Sequence, residues 1–220
     1  MSESLILSLL LAFSGGFQDA YTYIERGHVF ANAQTGNVVL MSVSLLDGNI
    51  HAVIRYITPL FAFIAGTIVA DLIEHRMKEV QVIHWRQMII MAEVIVMFIT
   101  GLFPESMNME ANCLISFTCA MQVETFRYFC GNAYASTMII GNMRSGTHAL
   151  SEAMIYHSKA DLKHACEYFG VILVFGIGAA FSALLTPVMD EKTIWCSCLI
   201  LLICYVIMEL DKVDMTSLED

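Results

Sequence analysis

Residues 168–189 run for 22 positions without one charged side chain. A hydrocarbon core about 30 Å thick is crossed by ~20 mainly apolar helical residues, so this run is long enough to span a bilayer. It does not stand alone. Residues 4–24, 54–73, 88–103, 111–128 and 193–208 are apolar with one interruption or short ends, and polar or proline-bearing segments separate them. Hydrophobic residues make up 57% of the 220-residue chain and charged residues 15%, where soluble domains carry ~25%. That composition excludes intrinsic disorder, which needs apolar-poor sequence. The net charge of -10 excludes a nucleic-acid partner, whose phosphates require a basic surface. The partner that remains is the lipid bilayer. The apolar stretch 5–13 reads as a retained first helix: Glu3 precedes it, no Lys or Arg does, and no clean small-x-small cleavage site follows.

The expected fold is therefore all-α, a polytopic membrane helix bundle in one domain over residues 1–220, with six transmembrane helices plus two short helices. The short helices fall near 35–46 and 145–157, and the second carries Arg144, His148 and Glu152 along one face. The seven cysteines show no C-x-x-C spacing and read as reduced, hydrophobic core residues.

Weak internal matches run through the chain in one order. Asn32-Ala33-Gln34-Thr35-Gly36 recurs 110 residues later as Asn142-Met143-Arg144-Ser145-Gly146, and the same shift carries Gly66 onto Gly176. A shift of 105 carries Asp19 and Tyr23 onto Glu124 and Tyr128, and one of 108 carries Trp85 onto Thr193. The chain thus reads as a duplicated unit, about 4–103 and 111–210. Lysine and arginine collect on the cytoplasmic side of membrane proteins. If the short helices do not cross, eight basic residues lie inside and Arg26, Arg55 and Lys192 outside; if they cross, the bias falls to six against four, with Arg144 assigned to neither side. Non-crossing is the expectation. Each unit then has three crossings, so the two repeats are inverted and both termini are cytoplasmic.

Gly15-Gly16-Phe17-Gln18-Asp19-Ala20 followed by Ala31-Asn32-Ala33-Gln34-Thr35-Gly36-Asn37 resembles the opening of the YoaK family. Gln122, Phe126-Arg127, the stretch from Gly131 to Met138, and Gly141-Asn142-Met143-Arg144-Ser145-Gly146 are similar to its Gram-positive members. The resemblance covers nearly the whole chain. It implies a small polytopic protein of the bacterial cell membrane, commonly drawn with six spans, a domain of unknown function with no known catalytic residues. It implies no activity, and no cofactor is expected.

Two sets of residues are candidates for a substrate site. Asn32, Thr35, Gly36 and Asn37, with Asn142, Arg144, Ser145, Gly146 and Thr147, are expected where the two short helices open. Such residues also cap ordinary turns. A helix start at membrane depth, however, presents unpaired N–H groups and a positive dipole end, and inverted-repeat transporters gather polar substrates at paired broken helices. With Arg144 beside them, an anionic or strongly polar small molecule is the expected ligand. The second set is Asp19, Glu93 and Glu124, the acids inside apolar spans. A charge at the bilayer centre costs ~3 kcal/mol on insertion scales, so such groups face a partner or a cavity. Asp19 and Glu124 sit near span ends, where they can snorkel, and Arg127 is placed to pair with Glu124. Glu93 lies mid-run, either coupling protons or hydrogen-bonding between helices. His148 and Glu152 are too few for a metal site. Two functions follow: a small transporter or channel with its site between the repeats, or a structural or interaction protein whose polar residues hold helices together. A homodimer is compatible with either. No nucleophile, metal or paired-carboxylate constellation points to an enzyme.

Overall fold

A computed structural model describes residues 4–77, 85–129, 132–134 and 136–216. Lys78 of the charge count, and Cys130, Gly131 and Ala135 in or beside the family motif, lie outside the described residues, as do 217–220 of the acidic tail. Among the described residues there are eight α-helices: α1 (Leu5–Glu25), α2 (Gln34–Leu46), α3 (Ile50–Met77), α4 (Trp85–Thr100), α5 (Asn108–Thr125), α6 (Ile139–Tyr156), α7 (Lys159–Met189) and α8 (Ile194–Thr216). Two-residue strands β1 (Tyr128–Phe129) and β2 (Asn132–Ala133) close a hairpin before α6. Ser4 caps α1, its hydroxyl accepting the Leu7 N–H at 3.3 Å, and Gly27 and His28 end it with φ of 81° and 61°. The apolar stretches Ile50–Met77 and Lys159–Leu210 contain 18-residue windows with mean hydropathies of 1.8 and 2.2, in the range of membrane-crossing helices.

Two starts differ from expectation. Helix α7 begins at Lys159, nine residues before the uncharged run, because Ser158 caps the Asp161 N–H at 3.2 Å and starts a polar turn that the apolar run continues. Helix α6 begins at Ile139, six residues before Ser145. Ser145-Gly146-Thr147 therefore lies inside α6 and not at its start. Gly146 is there for closeness: a Cβ would press on Tyr168 of α7.

Helix α1 packs along α7, α3 along α5 and α4 along α8; α4 also touches α5, α8 touches α1, α2 lies on α3, and α6 on α7. Small residues set these crossings. Gly178 of α7 faces the Phe13 carbonyl of α1, Gly16 faces the Phe175 carbonyl of α7, and Gly66 of α3 faces the Phe117 carbonyl of α5, each too close for a side chain. Large apolar side chains turn outward instead, Phe61, Ile64, Ile68 and Leu72 on α3 and Leu173, Ile177, Phe181 and Leu184 on α7. Lipid, not water, suits that surface.

The contacts also correct the sequence register. Gly178, not Gly176, makes the contact that Gly66 makes, while a Cβ at Gly176 would meet nothing within 4 Å. Phe13 and Phe117, which receive these glycines, are 104 positions apart, and the same interval separates Gln18 from Gln122. Gly36-Asn37 and Gly141-Asn142 hold the third and fourth positions of α2 and α6. At one end of the bundle Arg26 reaches the carbonyls of Thr100 and Phe103, and Tyr21 reaches that of Glu191. At the other, Arg127 pairs with Glu74 at 2.8 Å and Gln87 with Glu209 at 2.7 Å.

Candidate functional site

Ser14 and Gln18, four residues apart, share one face of α1 and point into the bundle. The Gln18 amide is completely buried, with its Nε2 2.9 Å from Ser14 Oγ, 3.0 Å from Ser197 Oγ of α8, 3.2 Å from Glu93 Oε1 of α4 and 3.3 Å from Met97 Sδ. Its Oε1 accepts from Cys119 Sγ of α5 at 2.7 Å, and the Ser14 and Ser197 hydroxyls are 2.7 Å apart. Gln122, one turn beyond Cys119, lies against the other side of the Glu93 carboxyl and touches Ser136 Oγ at 3.1 Å. Four helices and the segment before α6 thus bring a carboxyl, two amides, three hydroxyls and a thiol into one buried cluster. Glu93 is 1% exposed, and among the described residues no cation pairs with it. Such a group is retained at considerable cost unless the surrounding dipoles compensate it.

Two loops fold back onto this centre. The loop leaving α1 returns to Gly15, the middle residue of α1, where Asn32 Nδ2 meets the Gly15 carbonyl at 3.4 Å. Asp19 fixes the loop, its Oδ1 accepting the N–H groups of Asn32 at 2.7 Å and Ala33 at 3.4 Å just before α2 begins. Asn37 closes it from the other side: its Oδ1 accepts the Phe30 N–H at 3.0 Å, and its Nδ2 donates to the Phe30 carbonyl at 2.7 Å and to Gln34 Oε1 at 3.0 Å. The segment before α6 arrives at the same place, with Thr137 packed over Gly15 and the buried Tyr134 hydroxyl donating to the Ser8 carbonyl at 3.3 Å. Non-helical backbone in a membrane protein is tolerated where protein buries it, and both segments are buried against α1. Asn32 Oδ1 is left buried without a partner.

The structure brings Asp19 to Asn32, and Glu93 to Gln18 and Gln122. It does not bring Thr35, Gly36 and Asn37 against Ser145, Gly146 and Thr147. Helix α2 lies on α3 and α6 on α7; Thr35, Arg144 and Thr147 are exposed, Gly36 lies under the Phe30 ring, and Ser145 is half-buried. Asn142 is buried in the second turn of α6. Glu124 stays at the end of α5, paired with Arg127 at 2.7 Å, and shares nothing with Asp19. The reason is the α6 start: once Ser145 is inside a helix, no free N–H groups remain there to attract a ligand. The charge expectation changes with it. The centre holds the carboxyls of Glu93 and Asp19, and Arg144 lies outside it, so an anion is disfavoured. Sequence reasoning missed Gln18, Gln122, Ser14 and Ser197, although Gln18 and Gln122 stand in the family motif. It also missed Arg26, fully buried where α1 ends, whose guanidinium donates to Tyr21 Oη at 2.8 Å, Phe103 O at 2.9 Å, Asn108 Oδ1 at 3.0 Å and Thr100 O at 3.1 Å. It sits where the carbonyl end of α4 attracts a cation.

A bundle of helices with apolar outer faces around a buried polar centre defines an integral membrane protein. The chain belongs to the family described as Protein of unknown function (DUF1275), whose model matches residues 7–207. It is similar to the UPF0700 transmembrane protein YoaK of Bacillus subtilis (strain 168), 24% identical over 195 residues, which are 84% of this chain and 85% of that protein. No solved structure matches the chain.

Proposed function

We propose that this protein is a small transporter or channel for a polar solute, uncharged or cationic, acting at the Glu93 centre between two inverted halves. The observation that carries the reading is Glu93 itself: a carboxyl at the middle of an apolar helix, flanked by Gln18 and Gln122 from α1 and α5, with no cation paired to it among the described residues. Purely structural helix contacts in membranes are served by smaller and neutral groups.

Several features support the inverted arrangement. Exchanging α1–α4 with α5–α8 turns the α1–α7 contact into α5–α3, α2–α3 into α6–α7 and α4–α5 into α8–α1, and returns α4–α8 to itself. The loop before α2 leaves from the end of the bundle that holds Arg26, and the hairpin before α6 from the end that holds Arg127. Each returns toward Gly15 from its own side. The six long helices alternate between those two ends, in keeping with six crossings, both termini cytoplasmic and the 104–110 turn external.

One observation favours the second reading, a helix-holding role without transport: most polar atoms of the cluster satisfy one another. Vesicles separate the two. Proteoliposomes loaded with a small-metabolite extract and diluted should lose at least one polar or cationic solute faster than protein-free vesicles, and Glu93→Gln vesicles should retain it. Equal retention by all three would leave the helix-holding role.

A further inference from the structure

The amide of Gln122 occupies a position with an unusual property. Its atom nearest Glu93 lies 3.0 Å from Oε1 and 3.2 Å from Oε2 of the carboxyl, and its other atom lies 3.1 Å from Ser136 Oγ. With Oε1 toward Glu93, two oxygens stand at hydrogen-bond distance and a proton must lie between them, so Glu93 is a neutral acid donating to Gln122 while Nε2 donates to Ser136. With the amide reversed, Nε2 faces both carboxylate oxygens and Oε1 accepts from the Ser136 hydroxyl, which suits a Glu93 that has lost its proton. The serine hydroxyl serves either arrangement because it donates or accepts by rotating. The amide oxygen and nitrogen exchange places, and no other heavy atom has to move.

We propose that Glu93, Gln122 and Ser136 form a proton-binding site in which the Gln122 amide turns over when the proton binds or leaves. Loss of the proton breaks the Glu93 O–H bond, leaves one negative charge on the carboxylate and delivers the proton to water. A half-turn of the amide then supplies the N–H that the charged form needs. Gln18 Nε2, 3.2 Å from Oε1, donates to the carboxyl in both states. The titratable groups around Glu93 are Cys119 on α5 and Cys198 and Cys204 on α8, with Asp19 of α1 facing Cys119 beyond them. Because Ser136 lies in the segment that runs from the hairpin into α6, the amide's orientation links the proton to the loop that closes the centre from one side. The use of this proton to couple solute movement rests on the transport reading; the site itself does not.

Infrared difference spectra of the full protein in lipid, recorded across a pH titration, test it. A carboxylic acid C=O band should appear on acidification and be absent from Glu93→Gln. With isotopically labelled glutamine, an amide band absent from Gln122→Met should change with the same midpoint. Gln122→Met should keep the acid band but move its midpoint by about one pH unit, a tenfold change in proton affinity. No titrating Glu93 band, or a Gln122 amide signal that stays constant while Glu93 titrates, overturns the proposal. The vesicle experiment reports on transport separately: solute movement with no Glu93 titration would overturn this site and leave the transport reading intact.

Discussion

Gln18 and Glu93 stand 75 residues apart in the chain, yet the Gln18 amide donates to the Glu93 carboxyl at 3.2 Å in the middle of the bundle. That one contact ties α1 to α4, and through Ser197 and Cys119 the same amide reaches α8 and α5. Replacing Gln18 with Leu removes donor and acceptor together and leaves Glu93, Cys119 and the two serines short of partners. A cost of about 1–3 kcal/mol is expected, since buried groups stripped of partners lose in this range. Melting in detergent should fall by roughly 3–10 °C for a chain of this size. Gln18→Glu, which keeps shape but removes the amide donors, should also melt lower than the parent.

The glycine crossings make a sharper contrast. Gly178→Val drives a side chain into the Phe13 carbonyl and should destabilise the α1–α7 pair by about 1–3 kcal/mol, or prevent folding. Gly176→Ala, two residues away with open space around it, should melt as the parent does. Equal effects at both positions would contradict the packing described.

Arg26 is held by its fork as much as by its charge. Arg26→Leu leaves the carbonyls of Thr100 and Phe103 unsatisfied and should cost roughly 3 kcal/mol or more. Arg26→Lys keeps the charge but cannot reproduce the spread of donors, so it should recover only part of that loss. Chemical unfolding in mixed micelles measures both.

Topology gives a cellular test. Reporter domains fused after Met107 and after Asp220 should report opposite compartments, external and cytoplasmic, because the first lies in the turn beside Arg26. The same compartment for both would remove the six-crossing arrangement.

The long helices were legible in the sequence because hydropathy alone marks them; α1 and α2 fall within a residue of their expected bounds. Helix α7 was only half legible, since its first turns are polar and depend on the Ser158 cap. Glu93 stood out as a lone carboxyl in an apolar run. Gln18 did not, because an uncharged amide disturbs hydropathy little and the adjacent Asp19 drew attention to itself. Asp19 and Asn37 were found as residues but not as roles: each holds the backbone of the returning loop, a contact between positions 7 to 14 residues apart that no helical or strand period encodes. Glycine was ambiguous in the same way. Gly146 and Gly36 look like helix openers in sequence, and both are instead places where an aromatic residue, Tyr168 or Phe30, comes close.

In the proposed function, solute handling depends on the Glu93 centre. Its most direct test is an untargeted comparison of small metabolites in three otherwise identical strains: one carrying the protein, one carrying Glu93→Gln at the same membrane abundance, and one lacking the gene. A polar or cationic metabolite is expected to distinguish the first strain from the third, and the Glu93→Gln strain to match the third. A Glu93→Gln strain that matches the first, with the metabolite difference intact, would contradict it.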